Sequence, residues 1–87
     1  MSTYRFAVDV MPRDGILDPQ GRAVEAALPQ LGAASVRDVR VGRRVELAVD
    51  ALDRAAAREL VESLASEFLA NPLVERWDIK EMEAVPA

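Results

Sequence analysis

The side chains available for chemistry are carboxylates, basic groups and hydroxyls, because the sequence contains no cysteine and no histidine. That composition excludes disulfides, zinc fingers, cysteine nucleophiles and histidine general bases. It therefore excludes any glutaminase activity that depends on a cysteine. Asp9 and Asp50 fall in predicted strands and Glu25 in a predicted helix, and no spacing makes two of them an acid–base pair. We assign no catalytic and no metal-binding residue.

Residues 14–21 join a turn to the start of a helix and include a candidate anion site. Gly15 favours the turn, Asp18 is a good helix N-cap, and Pro19 suits the first helical position. Free N–H groups at this helix start could hold an anion, but the Asp18 carboxylate competes for them. Gly21 is less favourable here than alanine by roughly 0.5–1 kcal/mol. It indicates either the close approach of another backbone or a partner, or a tolerated glycine in a frayed turn.

A cluster of arginines follows further along the chain, at Arg37, Arg40, Arg43 and Arg44. Such a cluster could bind phosphate or an acidic partner. The plainer interpretation is a solvated strand face and turn, neutralised by Asp38 and Glu46. A nucleic-acid partner is not expected, because the net charge is -4 and residues 36–47 contain no aromatic side chain for base stacking.

Length and composition indicate one small domain that associates with itself. The chain has 87 residues, of which 51% are hydrophobic, and a domain of this size buries only about 60–65% of its unfolded surface. One monomer core cannot hide that much apolar surface, which favours a homo-oligomer. No apolar run approaches the roughly 18 residues of a membrane span, and the first residues lack a signal-peptide core. We expect a cytoplasmic protein with no membrane contact.

The elements that position these residues follow from periodicity. Residues 3–11 alternate as a strand with one apolar face. Residues 19–31 are predicted as a helix, in which Pro29 bends or tightens the last turn and Gly32 ends it. The buried stripe of this helix is expected to contain Val24, Ala27, Leu28 and Leu31.

Residues 36–50 are predicted as a pair of strands, because one parity is shared by Val39, Val41, Val45, Leu47 and Val49. A three-residue connection at 42–44 would place Arg40 opposite Glu46, a favourable pair of roughly 0.2–1 kcal/mol. One long strand bent at Gly42 keeps the same parity and is the alternative.

A second helix is predicted over residues 54–70, with Asp53 as its N-cap. Its buried stripe is expected to contain Ala57, Leu60, Val61, Leu64 and Phe68. Residues 74–82 form an edge strand or one that meets another subunit, and residues 83–87 are expected to be a disordered tail. The aromatic side chains are assigned to the core or an interface rather than a ligand cage; they are Tyr4, Phe6, Phe68 and Trp77.

The predicted fold is therefore a single α+β domain over residues 1–82. Its element order is βαββαβ, with an antiparallel sheet and two helices packed on one face. This two-layer arrangement covers both apolar helix stripes.

Three stretches resemble the PurS family, the small subunits of phosphoribosylformylglycinamidine synthase. They are GILDPQGRAV at 15–24, VRVGR at 39–43 followed by Glu46-Leu47, and LANPLVE at 69–75. The resemblance spans roughly residues 4–80 and keeps order and spacing. Carried over by motif match, the candidate contact residues for a partner or a second protomer are Asp18, Pro19, Gln20, Gly21, Arg40, Gly42 and Arg43.

The resemblance implies a non-catalytic role in de novo purine biosynthesis. The enzyme converts formylglycinamide ribonucleotide to the amidine with glutamine, ATP and magnesium. A PurQ glutaminase subunit releases ammonia, and a PurL synthetase subunit performs the ATP-dependent step. A PurS subunit forms a dimer or tetramer and bridges PurL and PurQ. No cofactor is expected on this chain, since ATP and magnesium act on PurL.

The alternative is a stand-alone regulatory module similar to ACT domains, which share the βαββαβ order. Such a homodimer would bind an amino acid or nucleotide near residues 18–21.

Overall fold

The computed structural model describes residues 1–83, so most of the predicted tail at 83–87 lies outside the described residues. Three strands form one antiparallel sheet: β1 (Ser2–Pro12), β2 (Arg43–Ala51) and β3 (Glu75–Met82). The sheet order is β2-β1-β3, so β3 is an edge strand, as predicted. The α+β class with an antiparallel sheet is confirmed.

Two helical segments connect the strands. The first begins with α1 (Pro19–Ala27) and tightens into a 3₁₀ turn over Leu28–Leu31. This tightening at Pro29 was predicted, and the helix ends at Gly32 with a left-handed φ of 76°. The second begins with α2 (Arg54–Leu64) and continues as a π-helical turn over Ala65–Leu69. Asp53 caps α2 through a hydrogen bond from the Ala56 amide, 2.7 Å long.

The core lies between α2 and one face of the sheet. Phe6, Val8 and Val10 project from the central strand and are fully buried. In register, Val8 lies between Val45 of β2 and Ile79 of β3. The α2 side of the core is formed by small or branched residues, among them Ala57 and Val61. Ala7, on the opposite face of β1, is fully buried as well, in keeping with the central place of β1 in the sheet.

The strand pair predicted over residues 36–50 is wrong in its first half. Residues 36–42 form no strand, and β2 begins at Arg43, so neither a hairpin nor one long bent strand exists here. The Val41 amide donates instead to the Asp18 carboxylate at 2.8 Å, and Asp38 has a left-handed φ of 60° that interrupts an extended run. Arg40 therefore does not face Glu46. The element order is βαβαβ rather than βαββαβ.

The predicted burial of the first helix is also wrong. Gly21 is the one buried residue of α1, and Leu31, expected in the core, is 77% exposed. With α1 contributing no side chain to the core, the Cα trace is flat, with extents of 52 × 32 × 14 Å. In the isolated protomer the helical layer over the core is therefore formed by the second helix without the first.

Phe68 is the third departure from prediction. It belongs to the expected α2 stripe but is 80% exposed. Ala57, Val61 and Ala65, four residues apart, form the buried face of α2, and Leu60, which was also expected in the stripe, is 50% exposed. Burying such a side chain contributes about 1.5–3 kcal/mol, which the isolated protomer forgoes.

Within residues 1–83, no helix has the length and apolar content to cross a membrane.

Candidate functional site

The predicted contact residues meet at one end of the sheet, where β1 ends and both β2 and β3 begin. We call this region the junction; it comprises residues 12–21, 39–43 and 69–75. The chain passes through the junction three times, and these passages overlap the three motifs at 15–24, 39–43 and 69–75.

Asp18 ties two of these passages together. One carboxylate oxygen accepts a hydrogen bond of 3.0 Å from the Gly21 amide, as an N-cap should. The other accepts a hydrogen bond of 2.8 Å from the Val41 amide in the second passage. These two donors, with the nearby Arg40 guanidinium, lower the Asp18 pKa against a smaller opposing effect of burial. Asp18 is therefore committed to its own chain.

Gly21 and Gly42 are required by close approaches within the chain. A Cβ at Gly21 would lie 2.5 Å from the Val39 carbonyl oxygen and from an Asp18 carboxylate oxygen. A Cβ at Gly42 would overlap the Val10 carbonyl oxygen and the Met11 sulfur. The unfavourable glycine in the first turn of α1 thus makes room for another backbone, and that backbone is the chain's own.

Arg40 holds the second passage against the end of β1. Its Nη2 donates to the carbonyl oxygens of Pro12 and Arg13, at 2.8 and 2.9 Å. Its Nη1 lies 3.4 Å from an Asp14 carboxylate oxygen. Arg40 therefore satisfies backbone acceptors of the turn that follows β1.

Arg43 joins the second passage to the third. Its guanidinium forms a bidentate pair with Glu75, at 2.6 and 3.1 Å, and donates to the Leu69 carbonyl oxygen at 2.5 Å. Glu75 also accepts a hydrogen bond of 2.7 Å from the Asn71 amide. Arg43 first, and this amide second, lower the Glu75 pKa, and the same ion pair raises the Arg43 pKa.

Pro19 and Gln20 are the two predicted contact residues that stay exposed without such a structural task. They line an open cleft of about 350 Å³ together with Ile16, Leu17 and Val41. Among the predicted contact residues, these two at the start of α1 are thus the ones left available to a partner.

Sequence reasoning missed Glu75 and the Asn71 amide. Arg43 and Glu75 are separated by 32 positions, and no local pattern links them. For the arginine cluster, the plainer interpretation named Asp38 and Glu46 as the neutralising carboxylates; Glu46 pairs with Arg44, whereas Asp38 forms no ion pair within residues 1–83. Arg40 pairs with Asp14 and Arg43 with Glu75. Asp9 and Glu46, the partners of Arg44, lie on the sheet face opposite the core.

The charged side chains of the junction form hydrogen bonds and ion pairs within the chain. Residues 1–83 contain no group of three or more acidic side chains that could hold a metal ion. The candidate anion site is blocked, because the Asp18 carboxylate already accepts from the Gly21 amide at the helix start. The fold and the junction define a small α+β interaction module, in which charged residues shape a surface.

Comparison with known proteins identifies the module. The sequence profile of PurS, described as phosphoribosylformylglycinamidine (FGAM) synthase, matches residues 5–83. PurS from Mycobacterium leprae is 45% identical over 75 residues, covering 86% of this chain and 91% of that one. PurS from Thermotoga maritima is 33% identical over 82 residues, covering 94% of this chain and 100% of that one. The chain belongs to the PurS family of phosphoribosylformylglycinamidine synthase.

Solved structures agree with this assignment. The crystal structure of the Thermotoga maritima purS subunit matches with a TM-score of 0.84 and 32% identity, covering 93% of each chain. A chain in the structure of PurLQS from Thermotoga maritima matches with a TM-score of 0.85 and 33% identity, covering 94% of this chain and all of that one. The three-stranded fold is therefore that of the family.

Proposed function

We propose that this chain is the non-catalytic PurS subunit of phosphoribosylformylglycinamidine synthase in de novo purine biosynthesis, and that it bridges a PurL synthetase and a PurQ glutaminase. The observation that carries the proposal is the match over 94% of this chain to a chain of the PurLQS structure. In this role the protein acts in the cytoplasm, where it presents surfaces to the subunits that perform the chemistry.

The residue inventory supports a role without chemistry on this chain. Glutamine hydrolysis in the complex needs a nucleophile that a chain without cysteine cannot supply. We assign ATP and magnesium to PurL, as the resemblance to the family implies. The contribution of this chain is to position PurL and PurQ so that ammonia passes between them.

Self-association is part of the proposal. The flat protomer leaves large apolar side chains of the first helix exposed, including Val24 and Leu31. Exposed apolar surface of this kind marks interfaces. A dimer or a tetramer would cover these side chains of the first helix.

The test is synthesis of the amidine by purified PurL and PurQ from the same organism, with and without this chain. Glutamine and free ammonia are compared as nitrogen sources. We expect the glutamine-dependent rate to require this chain and the ammonia-dependent rate to depend on PurL alone. Equal glutamine-dependent rates with and without the chain would overturn the proposal, as would turnover of glutamine or ATP by the chain alone.

A further inference from the structure

The sheet of the protomer has two open edges. Because β1 is the central strand, β2 and β3 each pair on one side only within residues 1–83. Alternate residues of such an edge strand direct their backbone N–H and C=O groups away from the sheet. Another extended segment can bind these groups, and this is how exposed strand edges associate with other chains.

The edge at β3 is protected by charge. Its core-facing positions include two carboxylates, those of Glu75 and Glu81. Glu75 pairs with Arg43, and Glu81 lies within ion-pair distance of Arg54 and Arg58. Charged side chains that point toward the core side of an edge strand oppose its pairing with another chain. The β3 edge is therefore poorly suited to extend the sheet.

The edge at β2 lacks this protection. The residues of β2 that share the core face are all apolar: Val45, Leu47, Val49 and Ala51. Val45 and Leu47 pack against the core but are only partly buried. A neighbouring strand with apolar side chains on the same face would complete their burial. The β2 edge is therefore the one that is available for pairing.

The sequence of β2 is complementary to itself in one register. A two-fold axis perpendicular to the sheet at Leu47 would pair all nine residues of β2 with those of a second copy. Val45 would then lie opposite Val49 of the second copy, on the core face. Arg44 would lie opposite Asp50 of the second copy, on the outer face. Apolar pairs and opposite charges placed directly across two strands are both favourable.

The neighbouring registers are unfavourable. An axis at Glu46 would set this carboxylate opposite its own copy, and an axis at Ala48 would set Glu46 opposite Asp50 of the second copy. Like charges placed directly across two strands are destabilising. An axis one position further in either direction would pair only residues 43–47 or residues 47–51. The register centred on Leu47 is therefore preferred.

We propose that β2 pairs antiparallel with β2 of a second copy around a two-fold axis at Leu47, which joins the two three-stranded sheets into one continuous sheet. This inference rests on the self-association in the proposed function, and it assigns a surface and a register to it. Because the two-fold axis is perpendicular to the sheet, the core faces of both copies lie on the same side.

Other segments of this chain suit the β2 edge less well. Pairing β2 with β3 of a second copy would leave one free edge on each protomer, so the contact would build an open chain instead of a closed dimer. Residues 36–42 are interrupted by the left-handed Asp38. The first helix uses its backbone groups internally, so its exposed apolar side chains form a separate surface. Two such self-associating surfaces on one chain would together give a tetramer.

The test is disulfide mapping, which the absence of native cysteine makes unambiguous. Directly opposite residues of antiparallel strands have Cα atoms about 4.5–5.5 Å apart, within the range of about 4.4–6.8 Å that a disulfide spans. Leu47→Cys should therefore form a covalent dimer on mild oxidation. Ile79→Cys, at a partly buried core-facing position of β3, is the matched control. We expect at least tenfold more covalent dimer from Leu47→Cys than from this control.

Two further variants determine the register. Glu46→Cys and Ala48→Cys face each other across the proposed axis, so the co-expressed pair should cross-link and each variant alone should not. In the Leu47→Cys background, Asp50→Arg would face Arg44 of the second copy and should lower the cross-link at least tenfold at low salt. Asp78→Arg on the outer face of β3 should leave the cross-link unchanged. Circular dichroism checks that every variant is folded.

The possible failures are distinguishable. A multimeric chain in which Leu47→Cys links no better than Ile79→Cys would overturn the β2 pairing alone. Cross-linking of Glu46→Cys by itself would overturn the register. In the assembled synthase, a disulfide from Leu47→Cys to PurL or PurQ in place of the dimer would overturn the proposal in favour of that subunit. A monomeric wild-type chain would instead overturn the self-association in the proposed function.

Discussion

At the scale of single residues, the junction is organised by the Asp18 carboxylate. It caps α1 through Gly21 and accepts from the Val41 amide. An asparagine could keep the first bond through its oxygen, but its NH₂ group cannot accept the second. Asp18→Asn should therefore lower the melting temperature at neutral pH.

The pH dependence of this variant has a definite sign. The folded state lowers the Asp18 pKa below its ordinary value of 3.8. The ionised Asp18 carboxylate therefore stabilises the folded state above that pH. This contribution disappears as pH falls through the lower pKa of Asp18 in the folded state. Thermal melts should show a wild-type advantage at pH 7 that narrows at about pH 3. The same difference at both pH values would contradict the role of the ionised carboxylate.

Gly21 offers a second residue-scale prediction, in which two effects oppose each other. Helix propensity alone would make Gly21→Ala stabilising by roughly 0.5–1 kcal/mol. The added Cβ would, however, lie 2.5 Å from the Val39 carbonyl oxygen, and overpacking typically costs about 1–3 kcal/mol. We expect chemical denaturation to show net destabilisation. Gln20→Ala, exposed in the same turn, is the matched control, and a more stable Gly21→Ala would contradict the close packing.

At the scale of elements, the Arg43–Glu75 pair links the start of β2 to the start of β3 and to the end of the π turn. The Arg43 side chain is half exposed, so solvent screening limits the coupling to about 0.2–1 kcal/mol. A double-mutant cycle with alanine should give a value in this range that falls with added salt. The Arg58–Glu62 pair on α2 is the comparison, at about 0.3–0.5 kcal/mol.

Amide hydrogen exchange distinguishes the Arg43–Glu75 pair from the Arg58–Glu62 pair on the surface of α2. Arg43→Ala should speed exchange of the Asn71 amide, since it releases the Leu69 carbonyl oxygen and frees Glu75 to move. Arg58→Ala should leave that amide unchanged. Unchanged Asn71 protection in Arg43→Ala would show that the helix end is held by other contacts.

The elements also show where sequence reasoning succeeds. Alternation located β1, and the caps at Asp18 and Asp53 located both helix starts, because these signals are local. The second strand pair failed because parity describes which residues share a face but not whether their backbone groups pair with another strand; the Val41 amide is bound by Asp18 instead. The burial of Phe68 failed because the buried face of α2 is centred on Ala57, Val61 and Ala65, and periodicity alone does not fix the centre of a stripe.

The predicted contact residues lie together at the junction, because the motifs that contain them meet there, and their contact with a partner stays a prediction. Their individual roles could not be predicted, because Asp18, Arg40 and Arg43 bind partners that are distant in sequence. The family, in contrast, was identified from the motifs, and the comparisons confirm it.

At the scale of the whole molecule, the flat protomer predicts self-association. Light scattering of the chain alone should give a multiple of the 9.5 kDa protomer mass. Val24→Ser with Leu31→Ser should shift the protein toward the monomer, because both side chains lie exposed on the first helix. Leu52→Ser is the control, because Leu52 is 80% exposed and lies outside the first helix. A monomer in the wild type, or an unchanged mass in the double variant, would contradict this assignment.

We propose that this chain brings PurL and PurQ together in the synthase. The most direct measurement is gel filtration with light scattering of this chain mixed with PurL and PurQ from its organism, in the presence of glutamine, ATP and magnesium. We expect one species that contains all three chains, with a mass that fixes their stoichiometry. PurL and PurQ eluting together without this chain, or the chain eluting alone under every condition, would contradict the assembly role.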